Sequence, residues 1–97
     1  MKETVTYRIY IGLKTETGEN VDPGIIPKIV SGYFSGFTLW NGLGYWKGKA
    51  EPVSIVEIIL PVAESRSKIL NLGWALKRAC LQEEIWIESR SGKVWIL

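Results

Sequence analysis

Residues Val53 to Leu60 read VSIVEIIL, a β-branched and aliphatic run of strand length that carries a single carboxylate, Glu57. A segment this apolar on both faces belongs inside a sheet. It needs a strand on each side and a layer over at least one face, and that demand organises the rest of the chain. The preceding stretch offers one neighbour. Asn41-Gly42 lies between aromatic and apolar runs, and this pair tolerates positive φ at both central positions of a type I′ turn. Phe37 to Trp46 is therefore expected to be a hairpin with Trp40 and Leu43 flanking its turn. Gly48 and Pro52 punctuate the connection to the central strand.

The second neighbour is Thr4 to Leu13. It alternates, with Val5, Tyr7, Ile9, Ile11 and Leu13 on one face and Thr4, Thr6, Arg8 and Tyr10 on the other. Two helices follow from period. Asp22-Pro23 starts the first, which carries Ile25, Ile26, Ile29, Val30 and Tyr33 at helical spacing and ends near Tyr33, with Gly32 and Gly36 helping to stop it. The second begins at Glu64 or Ser65 and presents Ile69, Leu72, Leu76, Ala79 and Cys80, widened by Leu70 and Trp74. Gly73 inside it costs about 1 kcal/mol relative to alanine, so a close approach is expected there, against the neighbouring helix. EEIWIES, a turn at Arg90-Ser91-Gly92-Lys93 and VWIL complete the chain as two strands.

The order predicts one domain over residues 1–97 of the α+β class. It is a ferredoxin-like split βαβ (β-α-β-β-α-β) antiparallel sheet with two helices on one face, an extra β-hairpin limb and an extra C-terminal strand. Composition narrows function mainly by what is missing. The 97 residues contain no histidine and one cysteine, which removes disulfides, Cys/His zinc sites and histidine-based catalysis. No metal and no cofactor are expected. A net charge of +2 with interleaved signs disfavours nucleic acid. No stretch approaches the roughly 20 apolar residues of a membrane span, and MKETVTYRIYIG lacks a signal-peptide core, so a cytoplasmic protein is expected.

Alternation leaves one sheet face without helices. It carries Arg8 and Tyr10 from the first strand, Val53, Ile55, Glu57 and Ile59 from the central strand, and Glu84, Trp86 and Glu88 from the fourth. A face this apolar on so small a domain calls for a covering partner, and a homo-oligomer (dimer or trimer) is expected. Glu57 and Glu88 flank Arg8 and are expected to form an ion-pair row that fixes register. The catalytic alternative makes Glu57 an acid/base carboxylate held by Arg8. Five tryptophans point to core or interface. Gly42, Gly44 and Gly48 fail as a dinucleotide fingerprint because no strand-to-helix turn carries them. Lys47 and Lys49 read as edge protection and Cys80 as a small buried hydrophobe.

Gly36-Phe37-Thr38, Gly44-Tyr45-Trp46, the Val53–Leu60 strand and Leu81-Gln82-Glu83-Glu84-Ile85 resemble a group of small bacterial proteins of unknown function with a GxT…GxW hairpin and a QE pair before the last long strand. The architecture is also similar to the ferredoxin-like trimers of the PII and CutA type. That likeness implies assembly through open sheet faces. The PII phosphate-gripping residues have no counterpart here, so nucleotide binding is not implied.

These readings lead to a non-catalytic oligomeric binding module as the expected function. A cleft lined by Trp40, Tyr45 and Trp46, together with the open-face residues Tyr10, Ile55, Glu57, Ile59, Trp86 and Glu88, would take a small molecule or a protein. One alternative is a small dimeric ferredoxin-like enzyme that uses a sheet-face carboxylate, Glu57 or Glu88, with Arg8 and Tyr10. Another is an adaptor that offers the hairpin edge or VWIL for strand addition.

Overall fold

A computed structural model describes residues 3–62, 66–90 and 93–97. The elements run β1 (Thr4–Gly12), α1 (Ile25–Ser31), β2 (Thr38–Trp46), β3 (Lys49–Pro61), α2 (Arg66–Ala79), β4 (Trp86–Ser89) and β5 (Val94–Ile96). They form one antiparallel sheet in the order β2-β3-β1-β4-β5 with both helices on one side. This is the α+β, ferredoxin-like arrangement expected, with β5 as the added edge strand. The expected starts of the second helix, Glu64 or Ser65, and the Ser91-Gly92 turn lie outside the described residues.

The core lies between the helices and one face of the sheet. Ile9 and Ile11 of β1, Val56 and Ile58 of β3 and Ile87 of β4 are fully buried against Ile26 and Val30 of α1 and Ile69, Leu72 and Leu76 of α2. Cys80 joins them, and burial pushes its thiol pKa up. Every second residue of the strands faces this layer, as the period of two in the sequence requires. Ser54 is the polar exception on β3. It is fully buried, and its hydroxyl donates to Oδ1 of Asn41 at 2.6 Å.

That bond marks a correction. Asn41-Gly42 is not a turn. Residues 38 to 46 form one extended strand, and the chain reverses at Lys47-Gly48, whose φ values of 50° and 79° are those a type I′ turn needs. A reversal at Asn41-Gly42 would pair four residues with four, whereas the observed one makes nine pairs, from Thr38↔Glu57 to Trp46↔Lys49. The longer ladder wins because each added pair brings hydrogen bonds and cross-strand contacts. The central strand accordingly starts at Lys49 instead of Val53. The expected hairpin limb is the distal part of β2–β3, because β1 stops pairing at Gly12↔Val53. The GxT segment leads into β2 at Thr38 and the GxW segment ends the same strand, so the two do not form opposite arms.

Two further expectations change in α2. Trp74 is on the solvent side, 43 % exposed, with the Lys77 ammonium 5.2 Å from its ring. Gly73 faces the sheet and not α1: a Cβ there would lie 2.7 Å from both Ile87 Cδ1 and Leu97 Cδ1. The first helix is shorter than its period suggested. The Asp22 carboxylate accepts from the Gly24 amide at 2.9 Å, and the helix has stopped by Gly32. Of the five tryptophans, Trp95 packs against the core, 6.1 Å from the Tyr7 ring, while Trp40, Trp46, Trp74 and Trp86 are exposed.

Candidate functional site on the open sheet face

Side chains directly opposite one another on paired strands share a face, so the registers lay out the uncovered face row by row. One row crosses the whole sheet as Thr38, Glu57, Arg8, Glu88 and Val94. The next is Trp40, Ile55, Tyr10, Trp86 and Ile96. On the other side of the charged row, Thr6 faces Ile59 on β3, and its carbonyl accepts from the Arg90 amide at 3.0 Å. The charged residues thus stand in one line, with an aromatic and aliphatic line beside it.

Arg8 and Glu57 form the expected ion pair, Nε to Oε2 at 2.9 Å. The bond to Glu57 strengthens the guanidinium's hold on its proton. Trp40 lies across the same cation, its ring centroid 5.7 Å from Arg8 Cζ. The other carboxylate of the row is held differently. Glu88 accepts the phenolic hydrogen of Tyr10, and burial, followed by that bond, pushes the Tyr10 pKa up. The charges are thus held as two pairs, Arg8 with Glu57 and Tyr10 with Glu88, linked through the contact of Arg8 with the Tyr10 hydroxyl. An arginine midway between two carboxylates was the simpler expectation, but the phenol reaches Glu88 from the adjacent row.

A groove of about 670 Å³ opens along the limb end of this face. Tyr10, Ile55, Trp86 and Glu88 line it from the sheet, and Tyr45 and Trp46 from the limb. These six were named from sequence. Glu57, Ile59 and Trp40 border neither this groove nor the smaller depression beside it, which is about 350 Å³ and includes Arg8. The expected cleft therefore assembles without Trp40, and Glu57 faces Arg8 instead of an open cavity.

Sequence reasoning missed Glu51 and Gln82, which also line the groove. A turn at Asn41-Gly42 leaves Glu51 in a connection, whereas the turn at Lys47-Gly48 sets it within β3. Gln82 has a clearer signal in Gly12: its side-chain amide donates to the Lys14 and Cys80 carbonyls at 2.8 and 2.9 Å, and its Oε1 lies 2.5 Å from where a Gly12 Cβ would be. A glycine at the end of an otherwise bulky strand marks such an approach.

The groove's charge is one-sided. Glu51, Glu84 and Glu88 line it, and no lysine or arginine does among the described residues. Glu84 also accepts from the Trp86 indole at 3.2 Å, which fixes that ring against the groove. Carboxylates between aromatic faces suit a cation, and the flat rings suit a heteroaromatic group. Among the described residues no group of three or more metal-ligating side chains occurs. No helix is long and apolar enough to cross a membrane.

No protein-family model matches the chain, and no curated protein matches it in sequence. Solved structures of the same fold do. A phage SAM lyase in complex with S-methyl-5'-thioadenosine superposes with a TM-score of 0.70 at 18 % identity, covering 100 % of this chain and 91 % of that one. A phage SAM lyase in the apo state gives a TM-score of 0.70 at 20 % identity, with 96 % and 87 % covered. The likeness establishes the fold over the whole chain. It also counts against the expected non-catalytic binding module, because both of these structural neighbours are lyases.

Proposed function

We propose that the chain is a small lyase that breaks a sulfur–carbon bond of an adenosyl sulfonium compound of the S-adenosylmethionine type. The observation that carries this reading is the groove's composition, with Glu51, Glu84 and Glu88 set among Tyr10, Trp46 and Trp86 and no basic side chain among its described lining. A sulfonium is a cation without hydrogen-bond donors, so carboxylates at a distance and aromatic faces are the groups that can hold it. The adenine ring has flat faces for Trp46 or Trp86. The fold of the SAM lyases supports the same substrate class.

The chemistry needs no water. When the bond between sulfur and the γ-carbon of the amino-acid chain breaks, its electron pair goes to sulfur, which becomes the neutral thioether of S-methyl-5'-thioadenosine. The four-carbon fragment makes good its deficit from within. Either its own carboxylate closes a ring at the γ-carbon, or a β-proton leaves to Glu88 as a double bond forms. In both cases Glu88, held by the Tyr10 hydroxyl, is the groove carboxylate placed against the reacting chain, and Glu57 with Arg8 holds the adjacent strand in place.

Incubation of the purified protein with S-adenosylmethionine, followed by chromatography, tests this. Release of S-methyl-5'-thioadenosine is expected, with at least a tenfold loss in Glu88→Gln, about the size of one positioned acid/base or charge contribution. Intact S-adenosylmethionine after prolonged incubation with folded wild type would overturn the reading.

The same reading has further copies of the chain, in a dimer or trimer, covering the open face. Trp86, Ile96 and Ile59 are about half exposed there, at 49, 51 and 59 %. Exposed apolar side chains on both sides of the charged row of a small domain mark an interaction site. Light scattering should show an oligomer at micromolar concentration and a monomer for Ile55→Lys. A monomeric wild type would remove the oligomer.

A further inference from the structure

Glu88 borders two depressions at once. Toward the limb lies the acidic, aromatic groove. On the other side is the smaller depression of about 350 Å³, lined by Thr6, Arg8, Ser89 and Arg90 together with Glu88. The two differ in sign, because the groove's charged lining is entirely carboxylate whereas two arginines, Arg90 and the Glu57-paired Arg8, line the smaller depression with one carboxylate that Tyr10 already engages. The backbone explains why Arg90 is there. Its amide donates to the Thr6 carbonyl at 3.0 Å, which continues the β1–β4 alignment one step past Ser89 and places Arg90 next to Thr6, beside the Arg8–Glu88 pair.

An elongated ligand that is cationic at its middle and anionic at one end matches this layout. An adenosyl amino acid has that form, with an adenosine, a sulfur centre and a terminal α-carboxylate. We propose that the smaller depression is a carboxylate subsite in which Arg90 takes the α-carboxylate of the substrate, with Arg8 beside it, while sulfur and nucleoside lie in the groove. This rests on the lyase reading above and adds to it a residue that determines specificity. Arginine suits the role because its planar fork meets both carboxylate oxygens, and each such charge-assisted bond is stronger than a neutral one. Arg90 is exposed, and its bond to Thr6 is made by the backbone amide, so a side-chain replacement keeps that bond.

Calorimetric titration with two ligands tests the subsite without relying on turnover. S-adenosylhomocysteine keeps the amino-acid end, has a neutral sulfur and is not a sulfonium substrate. S-methyl-5'-thioadenosine lacks the amino-acid end. Arg90→Gln is expected to weaken S-adenosylhomocysteine by about tenfold or more, the size of a lost charged hydrogen bond. Affinity for S-methyl-5'-thioadenosine should stay within about twofold in the same variant, which also shows that the protein is folded. Arg90→Lys should recover part of the loss. Unchanged affinity for S-adenosylhomocysteine, or an equal loss for both ligands, would overturn the subsite while leaving the lyase reading in place. Failure of the wild type to bind either ligand would overturn both.

Discussion

Arg8 and Glu57 occupy directly paired positions of β1 and β3, and the arginine Nε meets Glu57 Oε2 at 2.9 Å on a face that no helix covers. The pair is partly in solvent, with 45 % of the arginine side chain and 21 % of the glutamate side chain exposed. Its Coulomb attraction is therefore screened, and its main effect is to hold register next to the groove. Arg8→Ala should destabilise, and adding Glu57→Gln should recover part of the loss. A double-mutant cycle read by chemical denaturation checks the coupling, and additive costs would show that the two side chains do not interact.

The Tyr10 phenol, bonded to Glu88, gives this face a pH dependence. The phenol pKa is raised from its ordinary 10.0, first by burial and then by the bond to Glu88, so the folded state favours the protonated phenol. The resulting stability is fully present below pH 10 and is lost as the pH rises through the higher folded value. Unfolding free energies of wild type and Tyr10→Phe should differ by about 1 kcal/mol near neutrality and converge in strong alkali. Parallel curves across the alkaline range would contradict the assignment.

The Lys47-Gly48 turn makes a claim that separates it from the Asn-Gly alternative. Gly48→Ala should cost about 1 kcal/mol, because alanine at φ 79° is strained, while Gly42→Ala should be nearly neutral to the backbone. Lys47→Asn should be neutral or slightly stabilising, since asparagine tolerates positive φ. Thermal melts of the three variants decide it, and a larger cost at Gly42 than at Gly48 would favour the other turn.

Gly73 is where α2 meets the sheet. Alanine there gains about 1 kcal/mol of helix propensity but brings a Cβ within 2.7 Å of the Ile87 and Leu97 methyl ends, so Gly73→Ala should lie close to wild type. Gly73→Val has no such balance. It should lose roughly 2–3 kcal/mol in urea titrations, because two further methyl groups demand more room than movement of the Ile87 and Leu97 side-chain ends provides.

Much of this molecule is determined by the order of its residues. The period of two in Thr4–Gly12 and Val53–Leu60, and the helical spacing of Ile26, Val30, Ile69, Leu72 and Leu76, fix which side chains enter the core, because strand and helix geometry leave few other ways to bury them. The same alternation places Arg8, Tyr10, Glu57, Trp86 and Glu88 on one uncovered face and makes Arg8 and Glu57 neighbours. Competition between alternatives was decided only in three dimensions. Asn41-Gly42 has the better turn chemistry, yet a nine-pair ladder to β3 outweighs that local preference and moves the reversal to Lys47-Gly48. That shift carries Glu51 into the groove. Tyr10's bond to Glu88 depends on how far a phenol reaches across rows, and the Thr6–Arg90 contact depends on where β4 ends. Neither distance is encoded by spacing along the chain. Both arise because the sheet holds strands remote in sequence at fixed separation, and this alone sets an acidic groove beside an arginine-lined depression with Glu88 between them.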